Sequence, residues 1–439
     1  MYDNKKILIF GMARSGYEVA KILADHNCSI LITDKEEQDN EHIDELISLG
    51  IKYVVSEKQE DLLDNSYDYI IKNPGIRIDH PLCLKAKELN IPIINELEVA
   101  YHYLPKNVKI VGITGSNGKT TTTTLTYEIL KEAKLPVHLG GNIGFPMSSL
   151  MTKVKENDIL VLELSAQQLH DFKDFKVDVA ILTNLTEVHL DNFKTFEYYM
   201  NTKKKIFDHS DVSIINKDDL NEVELTKDVK NKLYFSTKEE ANTCVKENAI
   251  YYNDEKVIDL KDIKLKGMHN YQNAMCAILA TKQFDISNKI IVKVLENFAG
   301  VEHRLEFVKK LNDREFYNDS KATNVRSTQI ALSAFDKSTI LLLGGLDRGH
   351  SFEGLTEYLK NVKLIVCYGE TKNRINDFAK ENNIECHVFN TLEESTKDAY
   401  KSSSKGDVIL LSPACASWDQ YKCFEDRGNE FKKIVNSLK

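Results

Sequence analysis

A short segment rich in glycine, lysine and threonine is the strongest chemical signal in the chain. The sequence GSNGKT follows the apolar run KIVGIT and precedes the helical run TTTTLTYEIL. Gly115 and Gly118 permit a tight turn whose N–H groups can surround phosphate oxygens. Lys119 supplies positive charge, and the Thr120 hydroxyl is placed to hold Mg²⁺. Ile113 stands where the usual phosphate loop has a glycine, and a lone Gly-Lys-Thr can also be a surface helix start. The strand–loop–helix context favours a nucleotide-binding loop.

Two further polar side chains follow the next apolar runs. Glu163 ends a strand-like run, DILVLE, and His189 comes after the run VDVAILTN. The carboxyl ends of neighbouring parallel strands meet at one crevice, so both side chains could reach the Mg²⁺. The alternatives are ordinary: Glu163 as a carboxylate that caps a helix, and His189 as a loop histidine bonded to the backbone.

Three consecutive lysines, Lys203, Lys204 and Lys205, lie on a predicted helix. Successive helical residues point about 100° apart, so at most one of the three faces the crevice. The ordinary interpretation is a solvated basic face. Spacing alone does not single out Lys203.

The N-terminal segment KILIFGMARSGYEVAKIL has the strand–turn–helix order of a dinucleotide-binding unit, and Asp34 ends the following run, SILITD. Ala13 occupies the position of the second glycine, which normally lets the backbone approach a pyrophosphate. A nicotinamide cofactor is therefore less favoured than another phosphate at the helix N-terminus, or a simple tight turn. Asp34 and Lys35 are candidates for contact with a nucleotide-like ligand.

Short apolar runs alternate with helical segments along the whole chain, which is typical of buried parallel strands joined by helices. The α/β class follows. The predicted strands are KILIF, SILIT, YDYIIK, KIVGIT, DILVLEL, VDVAILTN, DVSIIN, TILLLGG, KLIVCYG and DVILLS. A proline-containing polar stretch near residue 105 and a glycine near residue 300 mark two seams. The sequence predicts three domains: residues 1–106, 107–299 and 300–439.

The composition excludes several classes of protein. The net charge of −9 gives no field that attracts nucleic acid. Eight cysteines without a Cys-x-x-Cys pair indicate neither a zinc site nor a disulfide framework, so a reducing cytoplasm is expected. No apolar stretch approaches the roughly 18 residues of a membrane span, and no export signal precedes the first strand.

An ordered series of motifs resembles the Mur ligases of peptidoglycan assembly, a family of ATP-dependent amide ligases. The motifs, in family order, are TGSNGKTT, GGNIG, LELS, HLD, GMHNYQNA, HR, NDSKATN and LSPACASWDQYKCFEDRGNEF. The resemblance covers nearly the whole chain. It implies a Rossmann-like first domain for a UDP-sugar, a central phosphate-loop ATPase domain, and a Rossmann-like third domain for the amino-acid acceptor.

Carried over by position, the resemblance implies a role for each matching residue. ATP contacts are implied for Gly115, Ser116, Asn117, Gly118, Lys119, Thr120, Thr121, Asn270, Asn273, Arg304 and Asp319. Mg²⁺, as two ions, is implied at Thr120, Glu163, His189 and Lys203, with Lys203 carbamylated by CO₂; Lys119, His189 and Lys203 are the implied catalytic residues. UDP-sugar contacts are implied for Asp34, Lys35, Asn73, Gly75 and Asn142, with Ser165 and Gln168 nearer the peptide stem. Acceptor contacts are implied for Lys321, Thr323, Arg348, Ser417 and Phe424.

Within the family, the first domain and the two C-terminal motifs are most similar to the members that add D-glutamate to UDP-N-acetylmuramoyl-L-alanine through an acyl phosphate. This implies a cytoplasmic monomer that forms a carbon–nitrogen bond. The alternatives are a Mur-type ligase with another amino acid, or a folylpolyglutamate synthetase, whose phosphate loop comes early in the chain. An NAD-dependent oxidoreductase would leave the phosphate loop unexplained, and an NTP-driven switch would need no acceptor domain.

The chain departs from the family at three places. Ala13 replaces a frequent glycine in the first turn, Ala166 and Gln167 stand where Ser and Phe commonly follow LELS, and Arg348 stands where a lysine is frequent. A guanidinium fork can still bind a carboxylate, and can do so bidentately.

Overall fold

The computed structural model describes residues 1–37, 40–187 and 190–439, and it has the predicted α/β class. The strands form three separate sheets. Two compact units contain them: Met1–Phe298 holds the first two sheets, and Ala299–Lys439 holds the third. In this described part of the chain, no helix combines the length and the apolar character needed to cross a membrane.

The first sheet has five parallel strands. They are β1 (Lys6–Phe10), β2 (Ser29–Asp34), β3 (Lys52–Val55), β4 (Tyr69–Lys72) and β5 (Ile93–Ile94). The helices of this part are α1 (Ala13–Asp25), α2 (Asn40–Ser48), α3 (Pro81–Glu88) and α4 (Glu96–His102), with a 3₁₀ segment at Gln59–Leu62. The order β3-β2-β1-β4-β5 makes β1 the central strand, where Ile7, Leu8 and Ile9 are fully buried. The strand order reverses at β1, so the crevice for a ligand lies beside the turn that begins at Gly11.

The second sheet has nine strands. They are β6 (Lys109–Thr114), β7 (Val137–Gly141), β8 (Ile159–Glu163), β9 (Val179–Leu182), β10 (Val212–Asn216), β11 (Lys232–Ser236), β12 (Thr243–Lys246), β13 (Ala249–Tyr252) and β14 (Glu255–Asp259). The helices are α5 (Lys119–Glu132), α6 (Met147–Leu150), α7 (Ala166–His170), α8 (Leu190–Phe193), α9 (Phe196–Lys204), α10 (Leu220–Leu225), α11 (Met268–Lys282) and α12 (Asn288–Asn297), with a 3₁₀ segment at Lys205–Phe207. The order is β14-β13-β12-β11-β10-β9-β6-β8-β7, and only the pairs made by β13 are antiparallel. The strand that leads into the phosphate loop, β6, is therefore internal and flanked by β8 and β9.

Helix α5 carries a run of threonines that have poor helix propensity. The Thr123, Thr124 and Thr126 hydroxyls donate to the carbonyls four residues earlier, at 2.8, 2.9 and 2.8 Å. These bonds satisfy the hydroxyls inside the helix. Leu125 and Ile129 pack in one apolar core with residues of α11. Burial of this face compensates for the weak propensity.

Helix α4, at the end of the first domain, is bonded to the second domain by buried polar side chains. The Asn95 amide donates to the Gln168 carbonyl at 2.7 Å. The Glu98 carboxylate accepts the backbone N–H groups of residues 173–175, at 2.5, 3.1 and 3.0 Å. Asn95 and Glu98 are both buried. The first two domains therefore share hydrogen bonds as well as apolar contacts.

The third sheet has six strands. They are β15 (Glu306–Leu311), β16 (Arg314–Asn318), β17 (Thr339–Gly344), β18 (Val362–Tyr368), β19 (Glu385–Val388) and β20 (Val408–Leu411). The helices are α13 (Val325–Ser333), α14 (Lys372–Glu381), α15 (Leu392–Lys401) and α16 (Phe424–Ser437), with a 3₁₀ segment at Glu353–Asn361. The order is β15-β16-β20-β17-β18-β19, with an antiparallel hairpin at one edge. Three domains that each contain a sheet are thus confirmed, while their exact boundaries stay predictions.

Candidate active site

The phosphate loop joins β6 to α5, as the motif predicts. Gly115 and Gly118 have φ values of +148° and +79°, in the region that favours glycine. A Cβ atom at Gly118 would lie 2.3 Å from Oδ1 of Asn273, and one at Gly115 would lie 1.9 Å from Oγ1 of Thr183. The loop is therefore packed too closely for any side chain at either position. The N-terminal end of α5 adjoins the loop, and the first N–H groups of a helix make such an end suited to binding an anion.

Lys119 folds back over this loop. Its Nζ donates to the carbonyls of Gly115 and Ser116, both at 2.9 Å. The side chain is half-buried, and that of Thr120 is buried. A cation and a hydroxyl are thus held beside a cradle of backbone N–H groups, which is what a nucleoside triphosphate requires.

Glu163 lies at the carboxyl end of β8, next to the phosphate strand. The residue is 2% exposed, and its Oε1 accepts a hydrogen bond from the Asn142 amide at 2.8 Å. His189, predicted as its partner on a metal, lies outside the described residues. Across residues 1–37, 40–187 and 190–439, no group of three His, Cys, Asp or Glu side chains could hold a metal ion.

Lys203 is the lysine of its run that enters the core. It is 1% exposed, and its Nζ bonds the Thr114 hydroxyl at the end of β6 at 3.0 Å. Burial, and next the positive charge of Lys119, hold the Lys203 pKa well below its usual value. Lys204 instead pairs with Asp228 at 2.7 Å, and Lys205 donates to the His170 carbonyl at 2.6 Å. The structure therefore makes the distinction that helical spacing left open.

Sequence reasoning missed Tyr199, one helical turn before Lys203. Its hydroxyl is 3.1 Å from Oγ of Ser116, and its ring centroid is 4.9 Å from the Lys203 Nζ. The signal was present, because residues four apart lie on the same face of a helix.

A cavity of about 440 Å³ connects these groups with the first domain. It is lined by Pro74, Gly75, Lys119, Asn142, Ser165, Ala166, Gln167, Asn192, Tyr199 and Lys203. The cavity therefore brings together Lys119 of the phosphate loop, Lys203 of the predicted metal site, and three of the predicted substrate residues: Gly75, Asn142 and Ser165. Ala166 and Gln167, which depart from the family pattern, form part of its wall.

Ser165 and Gln168 have a structural role as well as a place near this cavity. Ser165 caps α7, its hydroxyl accepting the Gln168 N–H at 3.2 Å, while Oε1 of Gln168 accepts the Ser165 N–H at 2.9 Å. Such a reciprocal capping box fixes the first turn of the helix. Of these two residues, Ser165 lines the cavity, and Gln168 is buried.

The predicted sugar residues of the first domain surround the first turn. The Asp34 carboxylate accepts the Met12 N–H at 2.7 Å, and its burial raises its pKa. The Asn73 amide donates to the Ser15 hydroxyl at 3.1 Å. Lys35 is exposed beside them. Ala13 has a φ of +29°, a conformation that a glycine would adopt with less strain.

Asn273, on α11, is joined directly to the phosphate-loop helix. Its Oδ1 accepts from the Thr122 hydroxyl at 3.2 Å, and its Nδ2 donates to Asn270 at 3.3 Å. In the second unit, Asp319 accepts the Ser412 hydroxyl at 2.8 Å and the Leu305 N–H at 3.2 Å. Burial raises the Asp319 pKa to about 7, although these hydrogen bonds and the nearby Arg304 oppose the shift.

The predicted acceptor residues form two cation–aromatic contacts in the second unit. The Lys321 Nζ lies 5.9 Å from the Phe424 ring centroid, and the exposed Arg348 guanidinium lies 4.7 Å from that of Trp418. Ser417 is buried next to Trp418, and Thr323 is half-buried.

Arg427, which sequence reasoning did not single out, holds three loops of this unit together. It is fully buried and donates to the carbonyls of Ser320 at 2.8 Å, Cys415 at 3.0 Å and Gly344 at 3.4 Å. The Ser320 and Cys415 carbonyls lie in the loops after β16 and β20, and the Gly344 carbonyl is at the last residue of β17. The predicted acceptor residues follow the same three strands.

Comparison with known proteins identifies the family of the chain. Three family models match the chain: "Mur ligase MurD-like, N-terminal domain" over residues 5–95, "Mur ligase middle domain" over 113–281, and "Mur ligase, glutamate ligase domain" over 303–415. A UDP-N-acetylmuramoylalanine–D-glutamate ligase of Bacillus cereus (strain G9842) is 43% identical over 445 residues, covering 100% of this chain and 98% of the relative. The protein of the same name from Bacillus cytotoxicus is 44% identical over 446 residues, with the same coverage.

Solved structures show the same fold at lower identity. The UDP-N-acetylmuramate-alanine ligase MurC of Thermotoga maritima aligns with a TM-score of 0.60 at 22% identity, covering 99% of this chain and 100% of that chain. MurF of Acinetobacter baumannii aligns with a TM-score of 0.57 at 16% identity, covering 98% and 91%. The predicted resemblance is confirmed: the chain belongs to the Mur ligase family.

Proposed function

We propose that this chain is the ATP-dependent ligase that joins D-glutamate to UDP-N-acetylmuramoyl-L-alanine. The observation that carries the proposal is the cavity lined by Lys119 of the phosphate loop, by Lys203, and by Pro74 and Gly75 of the first domain. Such a space brings a nucleotide's terminal phosphate close to a substrate held by both domains. The full-length identity with relatives that bear this ligase's name supports the choice of substrates.

ATP fits the phosphate loop. The glycine positions leave room for phosphate oxygens against the backbone, and Lys119 provides a charge for the β- and γ-phosphates. Ser116, Asn117, Thr120 and Thr121 complete this part of the proposed site. The proposed contacts with the rest of the nucleotide are Asn270, Asn273, Arg304 and Asp319.

Magnesium and a carbamate fit the groups around Glu163. An unmodified Lys203 offers no oxygen ligand, and when protonated it would add a second cation near Lys119. Its low pKa favours the neutral amine, which can add CO₂ and lose one proton to give an anionic carbamate. We propose that the carbamate, Glu163, the Thr120 hydroxyl and His189 hold two Mg²⁺ ions. Bound there, Mg²⁺ would neutralise the charge of the phosphates and of the substrate carboxylate.

The proposed reaction has two steps. An oxygen of the L-alanine carboxylate attacks the γ-phosphorus of ATP, ADP leaves, and an acyl phosphate forms. The D-glutamate amine then attacks the acyl carbon, and a tetrahedral intermediate collapses to an amide as phosphate leaves. Both first-step partners are anions, so the chain's main contribution is to position them and to neutralise charge with Lys119.

The proposed substrate contacts are those that the family resemblance implies. Asp34, Lys35, Asn73, Gly75 and Asn142 would bind the UDP-sugar, with Ser165 and Gln168 nearer its peptide stem. In the second unit, Lys321 and Arg348 offer two cations for the two carboxylates of D-glutamate, with Thr323, Ser417 and Phe424 beside them.

A phosphate-release assay with ATP and UDP-N-acetylmuramoyl-L-alanine tests the proposal. We expect release that depends on D-glutamate within a panel of amino acids, with L-glutamate as the matched control. Release that requires L-lysine, or a folate in place of the UDP-sugar, would contradict the proposed substrates while keeping the ligase chemistry.

The chain's single tryptophan offers a separate test of the acceptor site. Because Arg348 covers the Trp418 ring, a carboxylate that draws the guanidinium away should change the indole fluorescence. D-glutamate is expected to produce a saturable change, and L-glutamate a much smaller one at equal concentration. The Arg348→Ala variant should lose the response; a response unchanged in that variant would remove Arg348 from the acceptor site.

A further inference from the structure

A fully buried ion pair joins the first domain to the second beside the cavity. The Lys72 Nζ lies 3.1 Å from Oδ2 of Asp171, and the two side chains are 2% and 3% exposed. Lys72 is the last residue of β4, and Asp171 directly follows α7. Neither residue belongs to the proposed ATP, metal or substrate contacts.

On the first-domain side, Lys72 holds the turn that lines the cavity. Its ammonium donates to the carbonyls of Asn73 at 3.4 Å and Ile76 at 3.2 Å, at the two ends of the turn. Within the turn, the Ile76 N–H donates to the Asn73 carbonyl at 3.0 Å. The residues between, Pro74 and Gly75, form part of the cavity wall. The Lys72 ammonium therefore holds both ends of a turn whose two middle residues line the cavity.

On the second-domain side, Asp171 is held in place by its neighbours. Nδ1 of His170 lies 2.7 Å from Oδ1 of Asp171, and Nε2 of His170 lies 2.8 Å from the Tyr198 hydroxyl. Helix α7 ends just before Asp171 and begins after Ser165, which lines the same cavity. The ion pair thus connects the 73–76 turn with the end of α7, and both elements contribute residues to the cavity lining.

The energetics of such a pair favour a role in geometry over one in stability. Removing two charges from water offsets most of their attraction, and a well-packed neutral replacement is often as stable as the pair. What a neutral replacement lacks is the directional link from Asp171 through the ammonium to both ends of the turn. A shift of the turn by about 1 Å would displace a substrate bound to it, and displacements of that size can cost about 100-fold in rate.

We propose that Lys72 and Asp171 are positioning residues, which set the 73–76 turn at the distance from the phosphate loop that the UDP-sugar substrate requires. The inference rests on the proposed function. It predicts an effect confined to one substrate, because neither residue contacts the phosphate loop or belongs to the acceptor unit.

The test compares the wild-type enzyme with the double variant Lys72→Met/Asp171→Asn, which removes both charges and keeps an oxygen for His170. We expect the KM for UDP-N-acetylmuramoyl-L-alanine, and its dissociation constant by calorimetry, to rise at least about tenfold. The KM values for ATP and D-glutamate should stay within about twofold, and the melting temperature should change little. The exposed pair Lys176–Asp211, 2.7 Å apart, gives the matched control Lys176→Met/Asp211→Asn, which should behave as wild type.

A second variant tests the same proposal if the double variant does not fold. Lys72→Arg keeps the charge but replaces a point donor with a rigid fork, so it should raise the same KM with less effect on melting. A folded variant of either kind that binds the UDP-sugar as tightly as wild type would overturn the positioning role. Equal losses for all three substrates would do the same, since they indicate general damage. A wild-type enzyme that binds no UDP-N-acetylmuramoyl-L-alanine would instead contradict the proposed function.

Discussion

Replacing Lys119 with alanine is expected to abolish ATP-dependent amide formation while the protein stays folded. The Lys119 ammonium is held over the loop by two carbonyls at 2.9 Å, where it can neutralise the β- and γ-phosphates. Removing one such preorganised group from a transition state costs about 100- to 1,000-fold in rate. The side chain is only half-buried, so its loss should cost little stability. Phosphate release and thermal melting measure the two effects separately.

The matched control lies on the same helix. Lys131 is in the last turn of α5, with a side chain that is 58% exposed, so Lys131→Ala makes the same substitution away from the cavity. It should keep wild-type turnover. Near-normal turnover in Lys119→Ala would contradict the assignment of the loop to ATP, whatever the control shows.

Replacing Lys203 with alanine is expected to give an inactive enzyme that added short carboxylates partly restore. The variant lacks the nitrogen that would carry the proposed carbamate, so it would lack the proposed anionic metal ligand. Formate or acetate can enter the space left by the side chain and supply oxygens in its place. We expect a loss of about 100-fold or more in kcat and a partial recovery that saturates with carboxylate concentration.

Lys204→Ala is the control for this variant. Lys204 is the next residue, but its ammonium pairs with Asp228 outside the cavity, and removing such a partly exposed pair costs little. Its activity should be near normal and should not respond to formate. Full activity of Lys203→Ala without any carboxylate would remove Lys203 from the metal site.

The central strands of the sheets were predictable because they are buried on both faces. All ten apolar runs identified in the sequence are strands, as β1, with its fully buried isoleucines, illustrates. The missed strands include edges such as Lys52–Val55 and Glu385–Val388, each with exposed residues at both ends. An edge strand needs no continuous apolar run, so hydropathy gives it little signal.

In the candidate site, too, the residues with a local sequence signal were predictable and those that depend on distant contacts were not. The phosphate loop is local, so spacing alone indicates Gly115, Gly118 and Lys119. Lys72 and Arg427 were missed because their partners are distant in sequence: Asp171 for the first, and the Ser320 and Cys415 carbonyls for the second. A buried lysine or arginine looks in sequence like an exposed one, since only the folded chain supplies the acceptors that make its burial tolerable.

The contacts of α4 limit how this enzyme's parts can be recombined. A chimera that grafted a foreign first domain onto this central domain at residue 106 would replace Glu98 and its immediate surroundings. Unless the graft presented a carboxylate at the same place, three backbone N–H groups of residues 173–175 would lose their acceptor, at about 1–3 kcal/mol for each that stays buried. A homologous first domain is therefore exchangeable only when the chimera keeps α4 of this chain, or when the incoming helix places a carboxylate where Glu98 now lies.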